Sequence, residues 1–197
     1  MKFDPIKILI AVLMLVSSTA VYAYDFEVDG IYYTITSKKK KTVKVTFKRG
    51  QHYKGNIVVP ATAKFEDQTY QVTGVGHHAF YSCADLKKVT LPAGIKKIGV
   101  GAFSFCSSLT ELALPDSLER VGRQGFAYCS RMKHITVPAK VTKVGRNAFL
   151  GSFSLKYVAL PEQIEKVERL GISKHVRIDQ KKTDENKKNK KNKKNKK

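Results

Sequence analysis

The chain has 197 residues, a formal net charge of +21, three cysteines and 42% apolar residues. Once its two biased ends are set aside, that length suits one domain rather than several. So basic a chain is drawn to polyanions and away from cationic partners, and three cysteines exclude a fully paired disulfide framework.

Residues 1–23 read as a secretory signal. Lys2 and Lys7 form a basic start, Ile8 to Val16 is an apolar run too short to span a bilayer, and small residues surround a cleavage point after Ala23. The alternatives are an uncleaved anchor or a buried helix. No cysteine lies near this point, so a bacterial lipoprotein anchor is not indicated. The expected location is exported: secreted, at the cell surface or periplasmic.

Residues 24–74 read as a β-hairpin cap with a first partial rung. FEVDGIYYTIT alternates around Asp29-Gly30, a turn signal. Lys38 to Lys41 break the pattern and TVKVTF resumes it. Ile57 to Pro60, IVVP, is a strand followed by proline. In FEDQTYQV, Asp67-Gln68 predicts the turn of a second hairpin.

Residues 75–166 are four repeats of 23 residues with no insertion, beginning at Val75, Ile98, Val121 and Val144. An exact period in this range signals a stacked architecture. One column is Phe80, Phe103, Phe126 and Phe149. Others are Leu86, Leu109, Met132, Leu155 and Val89, Leu112, Ile135, Val158. Leu91, Leu114, Val137 and Leu160 each precede a proline, and Gly76, Gly99, Gly122 and Gly145 follow the start of each unit. The V-x-L step has the period of a short strand, and the proline should stop it because it cannot donate to a ladder. G-x-x-A-F-x-x-C-x-x-L has apolar residues at helix-like spacing and predicts one tight helical or 3-10 turn on the other side. The fold class is therefore a repeat solenoid, mainly β with short helical or 3-10 turns, capped by an N-terminal β-hairpin. No unit can bury its own Phe and Leu, so stability should be nearly a sum over rungs.

Residues 167–180 read as a C-terminal cap: Glu168 replaces the column glycine and no Phe follows in place. Residues 181–197, KKTDENKKNKKNKKNKK, have nothing apolar to bury and are expected to be disordered. The tail carries +8 and the signal stretch +1, which leaves +12 on the remainder. The tail has no aromatics for base stacking, which argues against a specific nucleic-acid site.

The string G-x-x-A-F-x-x-C-x-x-L-x-x-V-x-L-P, over Val75 to Lys166, resembles the BspA-like leucine-rich repeat of bacterial surface proteins. Less regular flanks extend the likeness from about Tyr24 to Asp179. The resemblance implies a secreted or surface-displayed binding solenoid, often linked to adhesion. The family motif holds structural residues, so no functional residue carries over.

Cys83, Cys106 and Cys129 share one column, with Ser152 in the fourth place. Neighbours in a parallel ladder sit a rung apart, too far for a disulfide, so free buried thiols are expected. His77 and His78 precede Cys83, but Cys106 and Cys129 sit identically without histidine. That defeats a Cys–His nucleophile. Gly74-x-Gly76 and Gly99-x-Gly101 fall at rung boundaries, where glycine permits a tight turn, and lack the long strand and helix of a dinucleotide site. No enzyme, cofactor or metal ligand set is expected.

What remains is the outward side of the strands: Lys88, Thr90, Glu111, Ala113, His134, Thr136, Tyr157 and Ala159. These should form one continuous face for a protein or glycan ligand at a cell surface, with His134 beside Tyr157 as an aromatic anchor. The rival expectation is electrostatic binding of anionic polymers or membrane surfaces through the basic surface and Lys-rich tail. A monomer is expected.

Overall fold

The computed structural model describes residues 24–181. The expected signal, and the expected tail beyond Lys181, lie outside these residues.

Antiparallel strands open the fold. β1 (Phe26–Val28) and β2 (Ile31–Ser37) form a hairpin. Its turn residues Asp29 and Gly30 both have positive φ, 49° and 76°. This is the primed turn whose twist matches that of the strands and which Asp-Gly favours. β2 then pairs with β3 (Thr42–Thr46) across the Lys38–Lys41 turn. β5 (Thr62–Phe65) and β6 (Gln68–Val75) form a second hairpin. Its turn residues are Glu66 and Asp67, one position earlier than the sequence suggests, and Glu66 takes φ of 53°.

From β3 onward the long-range pairing is parallel. β3 pairs with β6, β6 with β8 (Lys97–Ile98), β8 with β10 (Arg120–Val121), and β10 with β12 (Lys143–Val144). The V-x-L strands make a second set of ladders. β4 (Gly55–Val58), β7 (Leu86–Thr90) and β9 (Glu111–Ala113) form one three-stranded sheet. β11 (His134–Thr136), β13 (Tyr157–Pro161) and β14 (Arg177–Lys181) form another. β4 is the IVVP segment, and it pairs Ile57 with Val89. Most of these strands end one residue before the inward side chain that precedes proline; β13 runs on through Pro161.

The A-F-x-x-C segments are successive turns rather than continuous helices. Each is closed by bonds from residue i+3 back to i, such as Tyr81 N–H to His78 O, Cys83 N–H to Phe80 O and Leu86 N–H to Cys83 O. That is 3-10 spacing without a helix, and the reason lies in two left-handed positions per rung. One column is His78, Gly101, Gln124 and Asn147, with φ from 55° to 59°; the other is Ser82, Phe105, Tyr128 and Gly151, with φ from 56° to 70°. A side chain there costs about 1–2 kcal/mol, and such a residue cannot continue a right-handed helix. Stacking offsets the cost, because these amides bond across rungs: His78 N–H to Val100 O, Gly101 N–H to Arg123 O and Phe105 N–H to Ala127 O.

The core runs through the stack. Phe80, Phe103, Phe126 and Phe149 lie ring on ring, with centroids 4.9, 5.7 and 5.7 Å apart and planes within 18°. All four are buried, and each contributes about 1.5–3 kcal/mol by burial. Tyr53, from the loop before β4, continues the stack 4.7 Å from Phe80. At the far end the column glycine is replaced by Glu168, and the chain forms a 3-10 helix over Val167–Leu170 before β14.

Candidate functional site

The outward strand residues come from three-residue frames whose middle member is anchored in the core. In β11, Ile135 is buried between exposed His134 and Thr136. β7 holds Val89 the same way between Lys88 and Thr90. Register then fixes neighbours: Lys88 opposite Glu111, Thr90 opposite Ala113, His134 opposite Tyr157 and Thr136 opposite Ala159.

The hydrogen-bonded ladder beneath the face is interrupted once. β9 and β11 belong to different sheets, so Lys88, Thr90 and Glu111 lie in one patch and His134, Thr136 and Tyr157 in another. The break coincides with looser packing of β9. Leu112 and Leu114 are half-buried, whereas Val89, Leu91, Ile135 and Val137 are buried. β9 and β11 remain neighbours in the stack but share no hydrogen-bonded ladder.

The two patches differ chemically. The first carries an ion pair, Lys88 Nζ to Glu111 Oε2 at 2.7 Å, with both side chains more than half exposed. Such a pair contributes little stability in water. In the second, the His134 and Tyr157 rings lie 6.5 Å apart at 52°. The Tyr157 hydroxyl donates to Asp179 Oδ2 at 3.1 Å, which holds the ring in place. Ala159, on the same side of β13, is buried, so it is not part of the accessible surface.

Four residues of the face escaped the sequence reading. Asn56 and Val58 of β4 lie opposite Lys88 and Thr90, and Val58 is 68% exposed. Arg177 and Asp179 of β14 lie opposite Tyr157 and Ala159. The second hairpin separates β4 from its neighbour, and the last rung is three residues short of 23, so neither strand keeps the period. Alternation in VRID at 176–179 was the available signal.

The thiols are free and buried, and they also bond. Cys106 Sγ donates to Phe80 O at 3.0 Å and Cys129 Sγ to Phe103 O at 3.2 Å; Ser152 Oγ does the same to Phe126 O at 2.9 Å. The column thus needs a small donor, which is why serine can stand in it. Burial pushes Cys83 up to about 11 and Cys129 up to about 12 from 9.0, and raises Cys106 as well. None is a nucleophile near neutral pH. His77 and His78 are exposed; His77 Nδ1 accepts from Val100 N–H at 3.1 Å, and His78 lies edge-on to Tyr81. Among the described residues no group of three or more His, Cys, Asp or Glu could hold a metal ion.

The thiols also set a pH dependence. In the unfolded chain they ionise near 9.0, while in the folded chain they stay protonated well above it. Their contribution is therefore whole below about pH 9 and lost as pH rises toward the folded values, by about 1.4 kcal/mol per unit and thiol. Urea midpoints at about pH 8 and about pH 10 should separate, and Cys129→Ser should narrow the gap by that one thiol's share. An unchanged gap would remove the thiols as its cause.

A sequence model of the BspA type leucine rich repeat region matches residues 63–176 in six copies. No curated protein matches the chain. Among solved structures, a leucine-rich repeat protein from Bacteroides ovatus ATCC 8483 is 30% identical with a TM-score of 0.59, over 70% of this chain and 41% of that one. The T. pallidum leucine rich repeat protein is 26% identical with a TM-score of 0.61, over 72% and 63%. One from Bacteroides capillosus ATCC 29799 shares the fold at 24% identity and a TM-score of 0.57, over 80% and 98%. The chain thus spans less than two thirds of the first two.

Proposed function

The chain belongs to the BspA-type leucine-rich repeat family, and from that premise we propose that it is a non-catalytic binding protein of the bacterial surface or exterior. Its strand face engages a protein or glycan in an adhesion-type contact. The observation that carries this reading is the contrast between columns. Inward positions repeat the same residue types, while outward ones change at every rung: Asn56, Lys88 and Glu111 in one patch, His134, Tyr157 and Arg177 in the other. A rigid ladder presenting unlike side chains is how solenoids recognise extended partners. Tyr157 is the anchor, because Asp179 holds its ring and little rotamer freedom is lost on binding.

The full chain should be applied to a protein and glycan array. Tyr157→Ala should weaken the ligands found by about tenfold or more, and His134→Ala by less. Ligands retained at full strength by both variants would remove the second patch from the binding site.

A further inference from the structure

The sheet of β6, β8, β10 and β12 carries a recess that owes nothing to the strand face. We propose that this recess is a binding trough for a linear acidic polysaccharide, lying along the stack and crossing one rung after another. The proposal goes beyond the strand-face reading and does not depend on it.

Its floor is the glycine column at Gly76, Gly99, Gly122 and Gly145, which raises no side chain. Beside the floor, register places Lys97, Arg120 and Lys143 directly opposite one another on successive strands. All three are exposed, while the residues after them face inward. On the other side of the glycines, the 23-residue column reads His77, Val100, Arg123 and Arg146, so its two arginines lie on successive rungs. The cavity is about 700 Å³. A second recess of about 620 Å³ shares Lys143, Gly145 and Arg146 with it and extends the track to Lys166 and Arg169.

Three features select the occupant. The first is charge without compensation. The salt bridges among the described residues are Lys88–Glu111 and Glu168–Arg169, so Lys97, Arg120, Arg123, Lys143 and Arg146 have no carboxylate partner among these residues. Among the described residues no acid lines the main recess, and Glu168 is the one acid of its extension. Like charges opposite one another in a ladder repel, and an anion laid across them removes that penalty. The second is period. Cations recur once per rung along Lys97, Arg120 and Lys143, at about 4.8 Å, close to the length of one sugar unit, so a chain with regularly spaced carboxylates or sulfates meets a cation at each of these steps and a pair at Arg120 with Arg123 and at Lys143 with Arg146. The third is the absence of flat faces: among the described residues no Phe, Tyr or Trp lines the trough, whereas single-stranded nucleic acid is held by stacking bases on aromatics. Membrane insertion would need large exposed apolar side chains, whereas Val75, Ile98 and Val121 of the lining are buried and Val100 is the partly exposed one.

The experiment uses the full chain with a sulfated probe, a heparin fragment, and a carboxylated one, polygalacturonate. Arg120→Ser, Arg123→Ser and Lys143→Ser are combined in one variant. A second variant removes equal charge outside the trough: Lys133→Ser, Lys140→Ser and Lys156→Ser. Both are checked for the parental circular-dichroism spectrum. The trough variant should lose about tenfold or more in affinity and show a shallower salt dependence, by about two charges. The control should change by about twofold or less. Which probe binds more tightly identifies sulfate or carboxylate as the preferred anion. Equal losses in both variants would mean unlocalised net charge and overturn the proposal. So would a failure of both probes to bind at low salt, or tighter binding of a single-stranded polynucleotide or of anionic vesicles than of either polysaccharide.

Discussion

Replacing Phe126 with alanine should destabilise the protein by about 3–5 kcal/mol, one of the largest losses available from a single side chain here. Phe126 is fully buried and stacked on both faces, by Phe103 and by Phe149, each 5.7 Å away. Its truncation opens a void between rungs that are locked by backbone bonds, Phe103 N–H to Gly125 O and Phe126 N–H to Ala148 O, both 2.8 Å. Those bonds prevent the rungs from closing on the void. In a stack where each rung contacts its neighbours alone, stability is a sum of rung and interface terms. Loss of a middle interface should therefore also split the unfolding into two steps. Phe153, 70% exposed, is the control, and its alanine variant should stay within about 0.5 kcal/mol. Urea titration followed by circular dichroism reads both quantities. A shift at Phe126 no larger than that at Phe153 would contradict a continuous phenylalanine stack.

The stack was legible because its determinants are local and periodic. An unbroken 23-residue spacing places Phe above Phe without knowledge of any distance. The Asp29-Gly30 hairpin was legible for a similar reason, since the dipeptide dictates its own turn. The face was harder to read. Outward residues follow from alternation, but whether strands pair depends on how deeply each frame sits, and Leu112 reads in sequence as a core residue equal to Val89. The missed members, Asn56, Val58, Arg177 and Asp179, lie where the period is broken, and their place follows from register alone. Nor does sequence show that the A-F-x-x-C segments take left-handed φ at residues as unlike as His78, Gln124 and Asn147. Those angles come from inter-rung hydrogen bonds rather than from residue preference.

The two candidate surfaces follow opposite rules of sequence. Along the strand face each rung differs, which suits a partner with its own irregular surface. Along the trough the rungs repeat one charge, which suits a polymer that repeats as well. One stack can therefore offer a specific surface and a periodic one, because the ladders that carry them are separate strands of the same rungs.

Gly145→Ala should cost about 3 kcal/mol, at the upper end of overpacking effects, although it adds one methyl group. The sequence suggests glycine here for conformational freedom, and the structure gives another reason: Gly76, Gly99, Gly122 and Gly145 have no left-handed φ. Their need is space. A Cβ at Gly145 would lie 2.3 Å from Arg123 N and 2.5 Å from Gly122 C; at Gly122 it would lie 2.5 Å from Gly99 C. These are backbone atoms of the rung before, fixed by bonds such as Gly145 N–H to Val121 O at 2.9 Å, so the methyl can be housed only by prising two rungs apart. Gly94→Ala is the comparison. Its added Cβ would meet Val72 O at 3.2 Å, and its cost should be about 1 kcal/mol or less. Both residues share the same backbone freedom in the unfolded chain, so the difference in urea midpoints isolates the contact. Equal costs at the two sites would mean that the column is glycine for its flexibility. A large cost at Gly145 alone would explain why the period fails at Glu168: a residue with a Cβ in that column cannot lie against the rung before it, and the chain leaves the stack in a 3-10 turn instead.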